Sequence, residues 1–208
     1  MRGVEKLDDD CEKYKIKHLE NVLLEACESI DIKYFRIKFA GDPEEKYHYK
    51  ERVYTYELYH QLRCRFKDDE YSLAGEMNKL GNYYFDKELK GKNPDFIVHT
   101  QGTNIKNIAI IEVKRIESLN KKGVGNDLNK LTRFVSKQQL SYKFGIELFF
   151  GDTHINSFEN KIRKIFDEYC KDHEDTRKLL ENGEIKILFH NVCGKKPQFI
   201  DYNQLKFH

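Results

Sequence analysis

The sequence predicts an α/β fold: a central mixed sheet flanked by helices, in the order α-β-β-β-α-β, with additions at both ends. Three observations predict it. Apolar residues recur at helical spacing in several long segments. Between these segments lie short runs that alternate, or are continuously apolar, as strands are. No internal repeat, low-complexity run or Pro/Gly-rich linker divides the 208 residues, so one domain with its own core is expected.

The elements follow in order. After Asp10 a helix is predicted, with Leu19, Val22, Leu23, Ala26, Cys27 and Ile30 on one face. KYFRIKFA (Lys33 to Ala40) alternates like a strand and ends at the turn Gly41-Asp42-Pro43. A second helix is expected from about Tyr47 to Phe66, a stretch without Gly or Pro. YSLAGEMNKL reads as a short strand. NPDFIVHT opens a strand at Pro94, where a missing N–H is tolerated. After the turn QGTN, the run NIAIIEVK is apolar enough to be a central strand buried on both faces. A helix should open near Asn126 or Asp127, behind the glycines of KKGVGND. FGIELFFGD is a further strand. INSFENKIRKIFDEYC is helical and is allowed to run on to Leu180, and EIKILFHNV is a late strand. The residues after Lys196 carry little signal.

Composition narrows the function classes. A hydrophobic fraction of 39% supports a folded core, while Lys/Arg and Asp/Glu nearly cancel to a net charge of +2. Net charge alone therefore does not announce a nucleic-acid partner, and only its distribution can. Eight Lys/Arg face three acids from Glu112 to Lys143, and six face two from Lys46 to Lys67. The five cysteines are widely spaced and form no CxxC pair, which argues against a disulfide framework or a zinc site. No membrane span or signal peptide is expected. A reduced, cytoplasmic setting is.

The chemistry concentrates at Asp95, which opens one strand, and Glu112-Val113-Lys114, which ends the next. Seventeen positions separate Asp95 from Glu112, enough for a strand, a turn and a return. If the two strands pair as a hairpin, the carboxylates lie at one end of the sheet. Alternation then sends Glu112 and Lys114 to one face and Val113 to the other. Two carboxylates and an ammonium are what phosphodiester hydrolysis needs. Hard oxygens hold Mg²⁺, and a lysine offsets charge developing on the phosphate.

Pro94-Asp95 followed by Glu112-Val113-Lys114 resembles the PD-(D/E)xK nuclease superfamily, whose fold is restriction-endonuclease-like. The resemblance covers roughly Tyr47 to Phe150. It implies a single nuclease-like domain over 1–208, with a helix and strand extension at 1–45, a catalytic core at 46–150 and C-terminal helix and strand additions at 151–208. It also implies Asp95, Glu112 and the Val113 carbonyl as ligands for Mg²⁺, with Mn²⁺ as a substitute, and Lys114 as the catalytic lysine. Glu57 matches the further acidic residue of the preceding helix, with Glu76 as the substitute. Gln138 and Tyr142 stand at the QxxxY spacing of some exonuclease branches, and Gln139 is an equal polar partner. His60 could assist, although a lone helical histidine is more often structural. The KKGVGND glycines match no phosphate-binding fingerprint, and a plain loop is the simpler reading. Lys130, Arg133, Gln138 and Arg63 are the expected nucleic-acid contacts.

The expected function is thus a Mg²⁺-dependent nuclease, DNA favoured, in restriction, defence or DNA processing, acting as a homodimer or in a larger complex. Two rivals stand beside it. One is a nucleic-acid-binding protein that keeps the fold without cleaving. The other is an interaction protein whose basic faces only keep it soluble.

Overall fold

The computed structural model describes residues 2–42, 44, 46–76, 93–102, 106–136, 140 and 142–205, with side chains from residue 12 onward. Seven helices and six strands are assigned among them: α1 Arg2–Glu28, α2 Ile32–Phe35, α3 Glu51–Arg65, β1 Ser72–Gly75, β2 Phe96–His99, β3 Asn107–Arg115, α4 Lys121–Ser136, β4 Tyr142–Phe150, α5 Ile155–Cys170, α6 Glu174–Glu181, β5 Ile185–His190, β6 Gln198–Ile200 and α7 Tyr202–Leu205. The predicted order α-β-β-β-α-β is present as α3 to β4.

The strands form one open sheet in chain order, β1 to β6. β1, β2 and β3 pair antiparallel. β3, β4 and β5 are parallel, and β6 returns antiparallel at the far edge. The parallel centre is continuously apolar because helices cover both of its faces. On one face Ala109, Ile111, Val113, Ile146 and Leu148 pack with Leu23, Phe35, Tyr54 and Leu58 from α1, α2 and α3. On the other, Ile110, Phe149, Ile187 and Phe189 pack with Leu128, Leu131, Phe134, Phe158 and Ile162 from α4 and α5. Alternation along β3 and β4 therefore assigns Glu112, Lys114, Gly145 and Glu147 to the α4 face.

Three expectations are corrected. Lys33 to Ala40 is not a strand. Asp31 caps a single helical turn by accepting from the Lys33 N–H at 3.0 Å, and Phe35 is driven into an aromatic cluster with Tyr49, Tyr54 and Phe150. Extended pairing in this segment is limited to an isolated bridge between Ile37 and His48. The KKGVGND glycines lie inside α4, not before it. At Gly125 a Cβ would fall 2.8 Å from the Tyr169 ring, so glycine is what lets α4 approach α5 this closely. The helix after Ile155 stops at Cys170, and α6 is separate. The quiet C-terminus supplies an edge strand and a helical turn.

Candidate active site

Register builds the site. Phe96 pairs with Ile111 across the antiparallel β2–β3 ladder, so Asp95, one residue before β2, stands opposite Glu112. On the other side of β3, Glu112 pairs in parallel register with Glu147. Three acidic positions thus form a row across three adjacent chain segments whose backbones lie about 4.8 Å apart. The row lies a few residues from the C-terminal ends of β3 and β4, where open α/β sheets ordinarily place their ligands. The middle of α4 adds Asp127 and Lys130 to the row.

Asp95 is fixed from both sides. Its Oδ2 accepts from the Val113 N–H at 2.7 Å, and its carbonyl accepts from the Glu76 N–H at 3.0 Å. Burial raises its pKa to about 6. The Val113 hydrogen bond and Lys130 oppose that rise, while Glu51 and Asp127 add to it. Glu112 is 2% exposed. Its Oε2 accepts from Lys130 Nζ at 2.6 Å, but its Oε1 is buried without a hydrogen-bond partner among the described residues. Burial pushes its pKa well above the usual carboxylate range, against Lys130 and with help from Asp95 and Asp127.

Lys114 Nζ lies 2.7 Å from Asp127 Oδ2 and 4.0 Å from Glu51 Oε2. The Asp127 contact is a close ion pair that falls outside hydrogen-bond geometry, since Oδ2 has no hydrogen-bond partner. Burial works against the charge of Lys114, but Asp127, Glu51 and Glu147 outweigh it and raise the pKa above its ordinary value. Lys130 behaves alike, with burial opposed by Glu112, Asp127 and Asp95.

The structure brings Asp95, Glu112, Val113 and Lys114 together as the sequence predicts. Glu57 is a different matter. Its Oε1 accepts from Gln61 Nε2 at 2.6 Å. Among the described residues no hydrogen bond or ion pair joins it to Asp95, Glu112 or Lys114. The acid that α3 brings to the site is Glu51, whose Oε2 accepts from the Arg115 N–H at 3.3 Å. Glu57 is six residues further on, about 9 Å along the axis and about 120° around it. The substitute candidate Glu76 is exposed, with a left-handed φ of 43° and an ion pair to Arg52 at 4.0 Å.

The expected nucleic-acid contacts also disperse. Lys130 is held inside the cluster, its side chain only 15% exposed. Arg133 donates from Nε to Asn129 Oδ1. Arg63 is exposed but lies twelve residues beyond Glu51, roughly 18 Å along α3. Tyr142 is buried against Phe134 in the core, and Gln138 and Gln139 lie outside the described residues. His60 stays on the exposed surface of α3, 3.9 Å from Cys64 Sγ. A mostly basic groove does adjoin the site: Lys50, Arg52, Lys114 and Arg115 line it with Glu51, Ser118 and Asn120.

Three site residues escaped the sequence reading. Asp127 falls on the apolar stripe of α4 with Val124, Leu128, Leu131 and Phe134. Glu147 interrupts the apolar run FGIELFF. Both are charges set where the pattern demands hydrocarbon, and that was the available signal. Glu51, at a helix start, carried no such mark.

As the side chains stand, no group of three or more His, Cys, Asp or Glu among the described residues is arranged to hold a metal ion. The donor chemistry still fits a hard divalent cation, because buried carboxylate oxygens of Glu112 and Glu147 lack partners. Comparisons with known protein families, curated proteins and solved structures find no match to this chain.

Proposed function

We propose that this protein is a Mg²⁺-dependent nuclease that hydrolyses phosphodiester bonds, with DNA the favoured substrate by its resemblance to the PD-(D/E)xK superfamily. The observation that supports it is the convergence of Asp95, Glu112 and Lys114 on one face of the sheet, with a buried Glu112 oxygen left unpartnered. Asp95, Glu112 and the Val113 carbonyl would hold the ion, Mn²⁺ serving in place of Mg²⁺. When bound, it would polarise a phosphoryl oxygen and lower the pKa of a bound water. Lys114 meets the charge that develops on the phosphate. Asp127 and Glu51 keep that ammonium charged and aimed. Lys50, Arg52 and Arg115 in the adjoining groove supply phosphate contacts that fix the strand without reading its sequence. The resemblance also suggests restriction, defence or DNA processing as the setting, in a homodimer or a larger complex. Among the described residues no helix is long and apolar enough to cross a membrane.

A second reading has its own support. Lys50, Arg52 and Arg115 line a groove that can take phosphates without a metal, while Lys114 is already paired with Asp127, as in a chain that binds nucleic acid and does not cut it. Incubation of supercoiled plasmid with the wild type and Asp95→Ala, in Mg²⁺, Mn²⁺ and EDTA, separates the two. Nuclease action predicts metal-dependent nicking that Asp95→Ala loses. Salt-dependent binding without nicking in either metal supports the second reading and removes the first.

A further inference from the structure

We propose that Glu147 is a further ligand of the divalent cation, completing a row of three carboxylates with Asp95 and Glu112. The inference rests on the metal-site reading above and extends it to a residue in the next strand. Its ground is an anomaly of packing. Glu147 is 0% exposed, and among the described residues neither of its carboxylate oxygens has a hydrogen-bond partner. A buried carboxylate is ordinarily paired or neutralised. Its flanks offer nothing: on its own face of β4 stand Gly145 and Phe149, and its register partner on β5 is Ile187.

The one polar side is the cluster itself. Glu112 is its register partner on β3, and Asp127, Lys114 and Lys130 are the charged groups whose fields it feels. Aligned positions on adjacent parallel strands are about 4.8 Å apart, a span that two carboxylates can bridge through one cation with oxygens at ~2.0–2.6 Å. The charge count agrees. Asp95, Glu112, Asp127, Glu147 and Glu51 face Lys114 and Lys130, so the ionised cluster is short of positive charge, which a divalent cation would supply in part. A structural role explains less, because leucine in this strand would fill the space without desolvating a carboxylate.

Isothermal titration with Mn²⁺ tests this on the full chain, with thermal melts of the same samples with and without the metal. The variants are Glu147→Gln, Glu147→Leu and, as a control outside the cluster, Glu57→Gln. Wild type and Glu57→Gln are expected to bind alike. Both Glu147 variants are expected to lose at least ~10-fold in Mn²⁺ affinity, the loss typical even of outer-shell partners. Glu147→Leu is expected to melt above the wild type when metal is absent, which shows that lost binding is not lost folding. Unchanged Mn²⁺ affinity in both Glu147 variants, or no Mn²⁺ binding by the wild type, overturns the proposal. Plasmid cleavage in the same samples keeps the two readings apart. Glu147-dependent binding in a chain that cuts nothing retains the metal site and removes the nuclease. Cleavage with Mn²⁺ affinity indifferent to Glu147 does the reverse.

Discussion

On the face of the sheet covered by α3, Tyr54 and His190 are wholly buried, yet the polar atoms of both are partnered. The Tyr54 hydroxyl stands 2.8 Å from His190 Nδ1 and 3.6 Å from Cys27 Sγ, and His190 Nε2 donates to the Val192 carbonyl at 3.1 Å. On the face covered by α4, Glu112 keeps one orphan oxygen and Glu147 two. The same sheet thus buries polar groups in two ways. A closed network can be accounted for by folding alone, because each buried donor and acceptor is matched. An open one costs stability and calls for something the chain does not itself contain. The difference teaches where to look for function. The α3 face should answer to stability measurements, and the α4 face to ligands and substrate.

The sharpest break in that contrast is Lys114→Ala. Under the nuclease reading it should slow plasmid cleavage by ~10²–10³, the usual loss for one group that meets transition-state charge, while Mn²⁺ binding persists. Lys114 also holds Asp127 and Glu51, so a melt should accompany the assay. Cleavage at the wild-type rate in a folded variant would remove the assignment at its most specific point.

The closed network predicts a pH effect instead. Burial lowers the pKa of His190 to about 4, against its hydrogen bond to Val192. The unfolded chain therefore takes up the proton between about pH 6.5 and 4, and the folded chain resists it. The contribution of His190 is full above pH 6.5 and is lost as pH falls toward 4, by on the order of 3 kcal/mol. The carboxylates of the other face, whose pKa values burial raises, contribute with the opposite sign. The clean measure is thus the stability gap between wild type and His190→Gln in denaturant titrations. It should narrow as the pH drops from 7 to 4, and a constant gap would mean that His190 is not held neutral by the fold. Tyr54→Phe tests the same network at neutral pH. It leaves His190 Nδ1 without a partner and should cost ~1–3 kcal/mol, with no change in Mn²⁺ affinity.

Much of this was legible in the sequence where one pattern had one meaning. NIAIIEVK could only be a buried strand, and its terminal Glu and Lys could only interrupt it, so Asp95, Glu112 and Lys114 came together as their spacing requires. KYFRIKFA had two meanings. Its alternation suits a strand, but Asp31 supplies a helix cap and Phe35 an aromatic anchor, and tertiary packing decided between them. Asp127 and Glu147 were visible as charges on apolar stripes, though only the β3–β4 register sets Glu147 opposite Glu112, and only the packing of α4 on that face brings Asp127 to them. Lys130 looked like a surface cation because a helix sequence does not reveal which carboxylate waits across the sheet.

The smallest expected effect falls on α3. Resemblance selects Glu57 as the helix-borne acid, and the structure brings Glu51 to the site instead. A carboxylate that is half-buried and, among the described residues, bonded only to Gln61 on its own helix adds little, since such i,i+4 pairs are worth ~0.2–0.5 kcal/mol. Glu57→Ala should therefore shift stability by no more than about 0.5 kcal/mol and leave plasmid cleavage at the wild-type rate. Glu51→Ala should do more. It frees the Arg115 N–H and removes one of the two acids nearest Lys114, so cleavage should fall while the fold persists. The pair is informative because both acids lie on one helix and differ only in the face and turn they occupy. Loss of cleavage in Glu57→Ala with Glu51→Ala unaffected would reverse the assignment. It would require α3 both to rotate by about a third of a turn and to slide by about 9 Å when substrate binds.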